Sequence, residues 1–545
     1  MTAASLIIGL DGADLDVIQT IGEAKLPTLH RLMAKGAFAR LRCVNPPATL
    51  PNWTSFLTGA DPGVHGVFDF TMREGYRVRF TGGSARAVPT AFAHLDRLGL
   101  QCACMSFPGT WPVEQLKHGV YISGWDAPVA FEADASYVWP RQLHSSIVQR
   151  FGPLRFDTAD EFQADQAGWH QRLPAILLAR IKQKTDLASW LLDQKPWDVF
   201  AVYFGESDTA AHHLWSLHDP HSPRRPQHSE IGECQGLSQV YQALDQAVSE
   251  LEHRAGAGQQ LEITIVSDHG SGGSSDKVFY LNRWLAEGGW LTFKPRARAG
   301  AAATWAKQAA LHFLTPKIRQ QLFESARRRL PSWLESQARF GNIDMQNTRV
   351  FSDELNYFPA LHFNLTDREP EGQLRAQEIP RLQHELEAAL LAIRDPWTGH
   401  PVIKAVHRRE GLFMGPLVNR APDLLLEFHL DNGYSYNLLP SGDVSATAAW
   451  RLLDSDEHLG RKGRSLPGSH RDRGIFIAAG PHVSATGLQG VHMTEAMGHA
   501  LRRLDRSVIN NGINLPEMSS FQPSTASKRG QAQIAARLRS LGYIE

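Results

Sequence analysis

Seven residues spread over most of this chain are of the types that hold divalent cations or supply a nucleophilic hydroxyl: Asp11, Thr49, Asp208, His212, Asp268, His269 and His470. The strongest local pattern is Ile263-Thr264-Ile265-Val266-Ser267 running straight into Asp268-His269-Gly270, a β-branched strand that ends in two metal-type ligands. Adjacent side chains on a regular strand diverge, so the backbone must turn there for both to reach one ion, and Gly270 permits the turn. Phe204-Gly205-Glu206-Ser207-Asp208 ends another apolar run, with His212 four residues on. On a helix that spacing puts carboxylate and imidazole on one face, able to converge on one cation, while His213 points elsewhere. Asp11 closes the run Leu6 to Leu10, at the carboxyl end of a strand where open α/β sheets bind ligands. Gly468-Ser469-His470 sets a third imidazole just ahead of a further strand.

Thr49 sits in Asn45-Pro46-Pro47-Ala48-Thr49-Leu50-Pro51-Asn52-Trp53-Thr54. Prolines on both sides hold the backbone in a defined shape and aim the hydroxyl at the start of the following helix. A bare threonine is a poor nucleophile. Metal coordination lowers its effective pKa, and a helix N-terminus offers N–H groups and a positive dipole end to a phosphate. Each position also has a plain structural reading: Asp11-Gly12 as turn chemistry, Thr49 as an N-cap, Asp208 and His212 as a surface pair, His470 as an ordinary satisfied histidine.

Positioning such residues requires a sheet. Short apolar runs alternate with longer helical patterns, which predicts an α/β fold with a mostly parallel central sheet and helices on both faces. Strands are expected at Leu6 to Leu10, Gln101 to Phe107, Asp198 to Phe204, Leu261 to Ser267, Leu424 to Phe428 and Gly474 to Ala479, and helices at Leu26 to Gly36, Ile176 to Leu192 and Leu237 to Glu252. From Phe279 to Pro440 the texture changes, with Trp284 and Trp290 early on and an Ala-rich basic stretch after them. The division that follows is a core of 1–278, an inserted α+β cap of 279–440, a return to the core over 441–515 and a tail of 516–545. Trp284, Trp290 or Tyr357 could stack on a base, although aromatic residues in such a segment more often pack a core.

The chain has 545 residues, 42% of them apolar and 21% charged, enough for a large buried core and outside the disordered and fibrous classes. Formal net charge is zero, so no overall field draws it to nucleic acid or to an anionic membrane. Cys43, Cys102, Cys104 and Cys234 fit neither a zinc ribbon nor a disulfide framework, which points to a reducing compartment. The apolar run at Leu6 to Leu10 lacks the flanks of a secretory signal, and no run approaches a membrane span; a cytoplasmic protein is expected.

With these motifs in this order, the sequence resembles the alkaline phosphatase superfamily, in particular its nucleotide pyrophosphatase/phosphodiesterase-like branch and the bacterial and archaeal phosphohydrolases or phosphomutases near it. Ser106-Phe107-Pro108-Gly109-Thr110-Trp111-Pro112, Ser123-Gly124-Trp125-Asp126-Ala127-Pro128 and the segment Asn364 to Gly372 add to the likeness, which covers most of the chain. The resemblance implies two divalent cations, usually zinc with manganese in some relatives. Asp208, His212 and His470 would hold one, and Asp11, Asp268 and His269 the other, with the Thr49 oxygen bridging toward it. Two cations about 4 Å apart can activate an attacking oxygen and stabilise a leaving one. Thr49 would take up a phosphoryl or nucleotidyl group from a small phosphorylated substrate, and water would then remove it from the opposite side. Asn52 is a candidate for holding the non-transferred oxygens by its nearness to Thr49.

The departures are informative. Thr49 is followed by Leu50, Pro51, Asn52 and Trp53 rather than by the Pro and Arg of formylglycine sulfatases, and the transmembrane helices of phosphoethanolamine transferases are missing. Hydrolysis of a phosphodiester, nucleotide pyrophosphate or phosphomonoester is therefore the leading expectation. A phosphomutase or phosphoryl transferase on the same site is the enzymatic alternative, and a metal-binding scaffold the non-enzymatic one.

Overall fold

The apolar runs become a central sheet because each is buried on both faces; Leu6, Ile7, Ile8, Val199, Phe200, Ala201, Val202 and Ile265 are all fully buried. The computed structural model describes residues 3–124, 135–154, 168–227, 234–256, 260–295, 336, 339–354, 359–441, 448–460, 465–481, 483, 490–502 and 504. The sheet has eight strands in the order Ala37–Arg42, Arg473–Ala479, Glu262–Val266, Ala3–Leu10, Trp197–Phe204, Cys102–Met105, Val120–Ile122 and Val138–Trp139. The run from Glu262–Val266 to Val120–Ile122 is parallel throughout. The strands outside it pair antiparallel. The parallel strands 3–10, 197–204 and 262–266 are neighbours in the middle, so the residues that follow them (Asp11, Glu206 to Asp208, and Asp268) emerge together at one edge of the sheet.

Helices Trp169–Leu192, Glu206–His218 and Gly236–Gly256 pack on one another beside this sheet, and Met493–Ala500 packs on Thr49–Thr58. The first of these begins well before the expected Ile176 and carries Pro174 within it. Proline removes one helical hydrogen bond, but Trp169, Leu173 and Pro174 are all buried, and at about 1.5–3 kcal/mol per large apolar side chain that burial outweighs the lost bond.

A second hydrophobic cluster gathers Phe279, Leu285, Trp290, Phe351, Leu361, Leu386 and Leu424 around an antiparallel sheet of Val350–Phe351, Ala360–Phe363, Leu424–Phe428 and Ile403–Arg408. Val78, from the hairpin Thr71–Glu74 and Arg77–Phe80, joins this cluster rather than the first. Trp284 and Trp290 pack against each other there, ring centroids 5.3 Å apart, and the Trp290 indole donates to Glu385. They serve as core. Tyr357, the basic stretch 301–330 and the segment 516–545 lie outside the described residues.

One strand links the two halves. Gly270–Phe279 starts beside Asp268 and His269, pairs at its near end with Gly468–Arg471, and at its far end pairs with Ser435–Leu438 and Trp450–Leu452.

Candidate metal centre and nucleophile

The ends of the three central strands and the two segments that cross them bring all seven residues together. Asp11, Thr49, Asp268 and His269 are at most 1% exposed, and Asp208, His212 and His470 are also buried. Ligand atoms of Asp208, His212 and His470 lie within 4.8 Å of one another, as do those of Asp11, Asp208 and His269. Asp208 thus stands between two clusters, and Asp268 Oδ2 reaches to 3.2 Å from His269 Nε2.

Local packing explains the convergence. Asp11 continues the parallel ladder by donating its N–H to the Phe204 carbonyl, and Gly12 then turns with φ +60; a Cβ there would come within 2.9 Å of Asp208 Oδ1. Only glycine satisfies both conditions. At Asp268-His269-Gly270 the expectation needs amending. Gly270 has no left-handed φ; a Cβ at that position would meet the Arg473 carbonyl at 2.4 Å and Asp14 Oδ2 at 2.5 Å, so close approach rather than a special turn demands glycine. His470 enters on its own short strand, paired with Ser271, which stacks its ring on His269 with centroids 3.7 Å apart. His213 turns away and packs on Trp169.

The histidines are held in one tautomer. The Nδ1 atoms of His212, His269 and His470 lie 3.1, 3.0 and 2.8 Å from the carbonyls of Gly468, Gly270 and Pro47. A carbonyl only accepts, so Nδ1 carries the hydrogen and Nε2 is left as a bare lone pair, the arrangement that orients a metal-binding imidazole. These lone pairs converge: Nε2 of His212 is 3.0 Å from Nε2 of His470 and 3.3 Å from Asp208 Oδ1. Asp11 Oδ1 and Asp268 Oδ2 are buried without a hydrogen-bond partner, and neither residue pairs with a lysine or arginine among the described residues. A set of buried carboxylate oxygens and imidazole lone pairs facing one another fits divalent cations, which such donors accept together.

Electrostatics agree. Burial, with help from Asp208, pushes the Asp11 carboxyl up to about 7. Burial and then Asp11 drive Asp268 well above the usual carboxylate range. His269 is brought down to about 4 by burial. His470 is pushed well down by burial and by His269. For Asp208, burial is outweighed by His212 and the other imidazoles, and its carboxyl is held low.

Thr49 is the first residue of helix Thr49–Thr58, with Ala48 in the cap position and no side-chain cap, so its hydroxyl is not spent on the helix end. Its Oγ1 lies 3.5 Å from His269 Nε2. Three ties fix it there. Trp53 Nε1 donates to Asp11 Oδ2 at 3.0 Å, His470 binds the Pro47 carbonyl, and Asn52 laces the preceding loop. Asn52 is fully buried; its Nδ2 donates to the carbonyls of Val44, Pro46 and Ala48, and its Oδ1 accepts from the Val44 N–H. With every polar atom engaged by backbone, Asn52 has nothing left for a substrate, and its expected role as a phosphate clamp is replaced by that of loop brace.

Sequence reasoning missed Tyr203 and Ser207. The Tyr203 hydroxyl donates to Asp11 Oδ2 at 2.5 Å, and Ser207 Oγ to the Asp11 carbonyl at 2.6 Å. Both belong to the strand and helix already singled out for Asp208; alternation along 197–204 places Tyr203 across from Gly9, next to Asp11.

The sheet is that of an α/β fold with acids and imidazoles at the carboxyl ends of its strands, and the family match places the chain in the alkaline phosphatase superfamily. Residues 5–445 match the model of the Type I phosphodiesterase / nucleotide pyrophosphatase family, and the chain belongs to that family. Phosphoester hydrolysis is what that membership supports. Among solved structures, phosphonoacetate hydrolase from Sinorhizobium meliloti 1021 is similar at 15% identity over 92% of this chain and 95% of that chain, with TM-scores of 0.52 in complex with phosphonoformate and 0.53 with phosphonoacetate. An inactive murine ectonucleotide pyrophosphatase / phosphodiesterase 5 in complex with AMP matches at 13% identity over the same shares with a TM-score of 0.46. At 15% identity the likeness to the phosphonoacetate hydrolase is one of fold. His470 lies beyond the family match, and the structure returns it to the same pocket.

Proposed function

We propose that this chain hydrolyses phosphate esters through a covalent intermediate on Thr49, in a site built for two divalent cations. Asp208, His212 and His470 would hold one cation, and Asp11, Asp268 and His269 the other, beside the Thr49 oxygen; the mixed imidazole and carboxylate donors suit zinc, with manganese as the alternative. The observation that carries this reading is the position of Thr49 Oγ1, 3.5 Å from the His269 lone pair in a buried knot of ligands. Bound cations would supply the positive charge that makes a threonine oxygen nucleophilic and offsets charge on the departing oxygen. Thr49 then attacks phosphorus, its Oγ–P bond forming as the ester P–O bond breaks, and water later cleaves the Oγ–P bond to restore the hydroxyl. Helix Thr49–Thr58 directs its first N–H groups and positive end at the same place, which favours the phosphoryl oxygens.

In this reading residues 279–440 form a cap over the site and 441–515 return to the core; the hydrophobic cluster around Phe351 and Leu386 draws most of its residues from 279–440, with Val78 and Ala449 joining it from outside. The described residues contain no helix long and apolar enough to cross a membrane. A cytoplasmic location belongs to the same proposal, supported by four cysteines that are all free; fractionation of the source cells decides it. The catalytic test is turnover of bis-p-nitrophenyl phosphate and p-nitrophenyl phosphate with Zn²⁺ or Mn²⁺. Thr49→Ala should lower kcat by at least about a thousandfold. Turnover left intact in that variant sinks the assignment.

A further inference from the structure

A larger space adjoins the catalytic knot and meets it through His470. A cavity of about 600 Å³ lies between the core and the 403–438 strands, reaching Pro46, Pro47 and His470 at the catalytic end. That volume falls within the range of small-molecule sites, and a transferred phosphoryl group fills little of it.

The charges along this cavity are uneven: four cationic side chains, Arg42, Lys404, Arg471 and Arg473, face two carboxylates, Glu427 and Asp472. Arg471 is committed to the fold, since its guanidinium binds Ser435 and the carbonyls of Gly273 and Gly433. The other three are exposed. Arg42 and Arg473 are direct partners across the antiparallel pair of strands, so their side chains leave the same face of the sheet side by side. Like charges directly opposite in a sheet destabilise it. The only ion pair of Arg473 among the described residues is a loose 3.7 Å contact with its neighbour Asp472, at the surface, and Arg42 has none among them. Across the cavity Lys404 holds Glu427. Its ammonium is raised above the ordinary value by Glu427 foremost, and it feels Asp472 and Arg473 as well, so the two walls are within electrostatic reach.

We infer that Arg42 and Arg473, with Lys404 opposite, form a second anion subsite, and that the natural substrate is a phosphate ester whose alcohol portion carries a further phosphate or carboxylate. The subsite rests on the hydrolase reading for its substrate but not for its binding. Two guanidinium forks side by side suit an oxyanion, and an anion between them removes the repulsion that the bare pair suffers. The transferred phosphoryl sits at Thr49 and the second anion at the outer rim, so the charge on the alcohol selects the substrate.

A matched pair of chromogenic esters tests this: thymidine 5′-p-nitrophenyl phosphate with and without a 3′-phosphate. The phosphorylated ester should be preferred by at least about tenfold in kcat/KM, the factor one charge-assisted contact supplies. That preference should shrink as salt rises, and fall toward unity in Arg42→Gln/Arg473→Gln and, in part, in Lys404→Gln. In parallel, dissociation constants of thymidine 3′,5′-bisphosphate and thymidine 5′-monophosphate are measured for wild type and variants by calorimetry. Cleavage of both esters with equal kcat/KM overturns the subsite and leaves the hydrolase standing. Failure to cleave either, with the bisphosphate still bound more tightly through Arg42 and Arg473, overturns the hydrolase reading and leaves the subsite. Equal binding of both nucleotides by the wild type overturns the subsite on its own.

Discussion

Asp11 shows how much of a proposed ligand's behaviour is set by neighbouring side chains. Its Oδ2 is saturated by Trp53 Nε1 and the Tyr203 hydroxyl, which leaves Oδ1 as the free donor and fixes where it points. Tyr203→Phe keeps the ring that packs on Trp53 and Phe107 and removes one of those two bonds. Such outer partners typically govern affinity by about 10–100-fold. Competition with a chelator should therefore show cation affinity weakened by about tenfold in Tyr203→Phe, with the folded structure intact by circular dichroism; unchanged affinity would mean that Tyr203 is only packing. The three imidazoles tell the same story through their Nδ1 atoms, each fastened to a main-chain carbonyl.

The loop before helix Thr49–Thr58 is an element held from inside. Asn52 binds three carbonyls and one N–H of residues 44–48, and it is the sole partner of the Val44 N–H and carbonyl among the described residues. Asn52→Ala leaves the buried N–H and carbonyl of Val44 without partners and should cost roughly 2–4 kcal/mol in urea unfolding, together with a fall in kcat as Thr49 loses its fixed aim. Wild-type stability and kcat in that variant would refute the brace. This loop also marks the limit of what could be read without coordinates. Buried parallel strands announce themselves as apolar runs, so Ala3–Leu10, Trp197–Phe204 and Glu262–Val266 were legible to within a few residues, and with them the acids that follow. Asn52 was not, because nearness in sequence to Thr49 says nothing about which way an amide faces. Nor was the reason for Gly270, a clash with Arg473 and Asp14, since those neighbours come from distant parts of the chain. The expected start at Ile176 omits the first turns of helix Trp169–Leu192, which the burial of Trp169, Leu173 and Pro174 holds in place.

For the molecule as a whole, the second cluster is tied together by buried polar groups whose charge depends on pH. Glu354 bridges Asn282 and Ser441, accepting from both backbones, yet burial outweighs those donors and pushes its carboxyl up to about 7 from an ordinary 4.5. A raised carboxyl binds its proton more tightly when folded. Its contribution is therefore complete below about pH 4.5 and lost as pH rises to about 7. Glu354→Gln should flatten that part of the stability profile, seen as a smaller fall in urea midpoint between pH 5 and pH 7; an unaltered slope would assign the pH dependence elsewhere. The long strand Gly270–Phe279 joins this half to the proposed metal corner, so the proposed chemistry and the proposed cap share one piece of backbone. Their common centre is Thr49. Acid quenching during turnover of bis-p-nitrophenyl phosphate, followed by mass spectrometry of the peptide that contains residue 49, should find a p-nitrophenylphosphoryl group on Thr49 that disappears when substrate is exhausted. Steady turnover with that peptide unmodified at every time point, or with the label on another residue, would contradict the account.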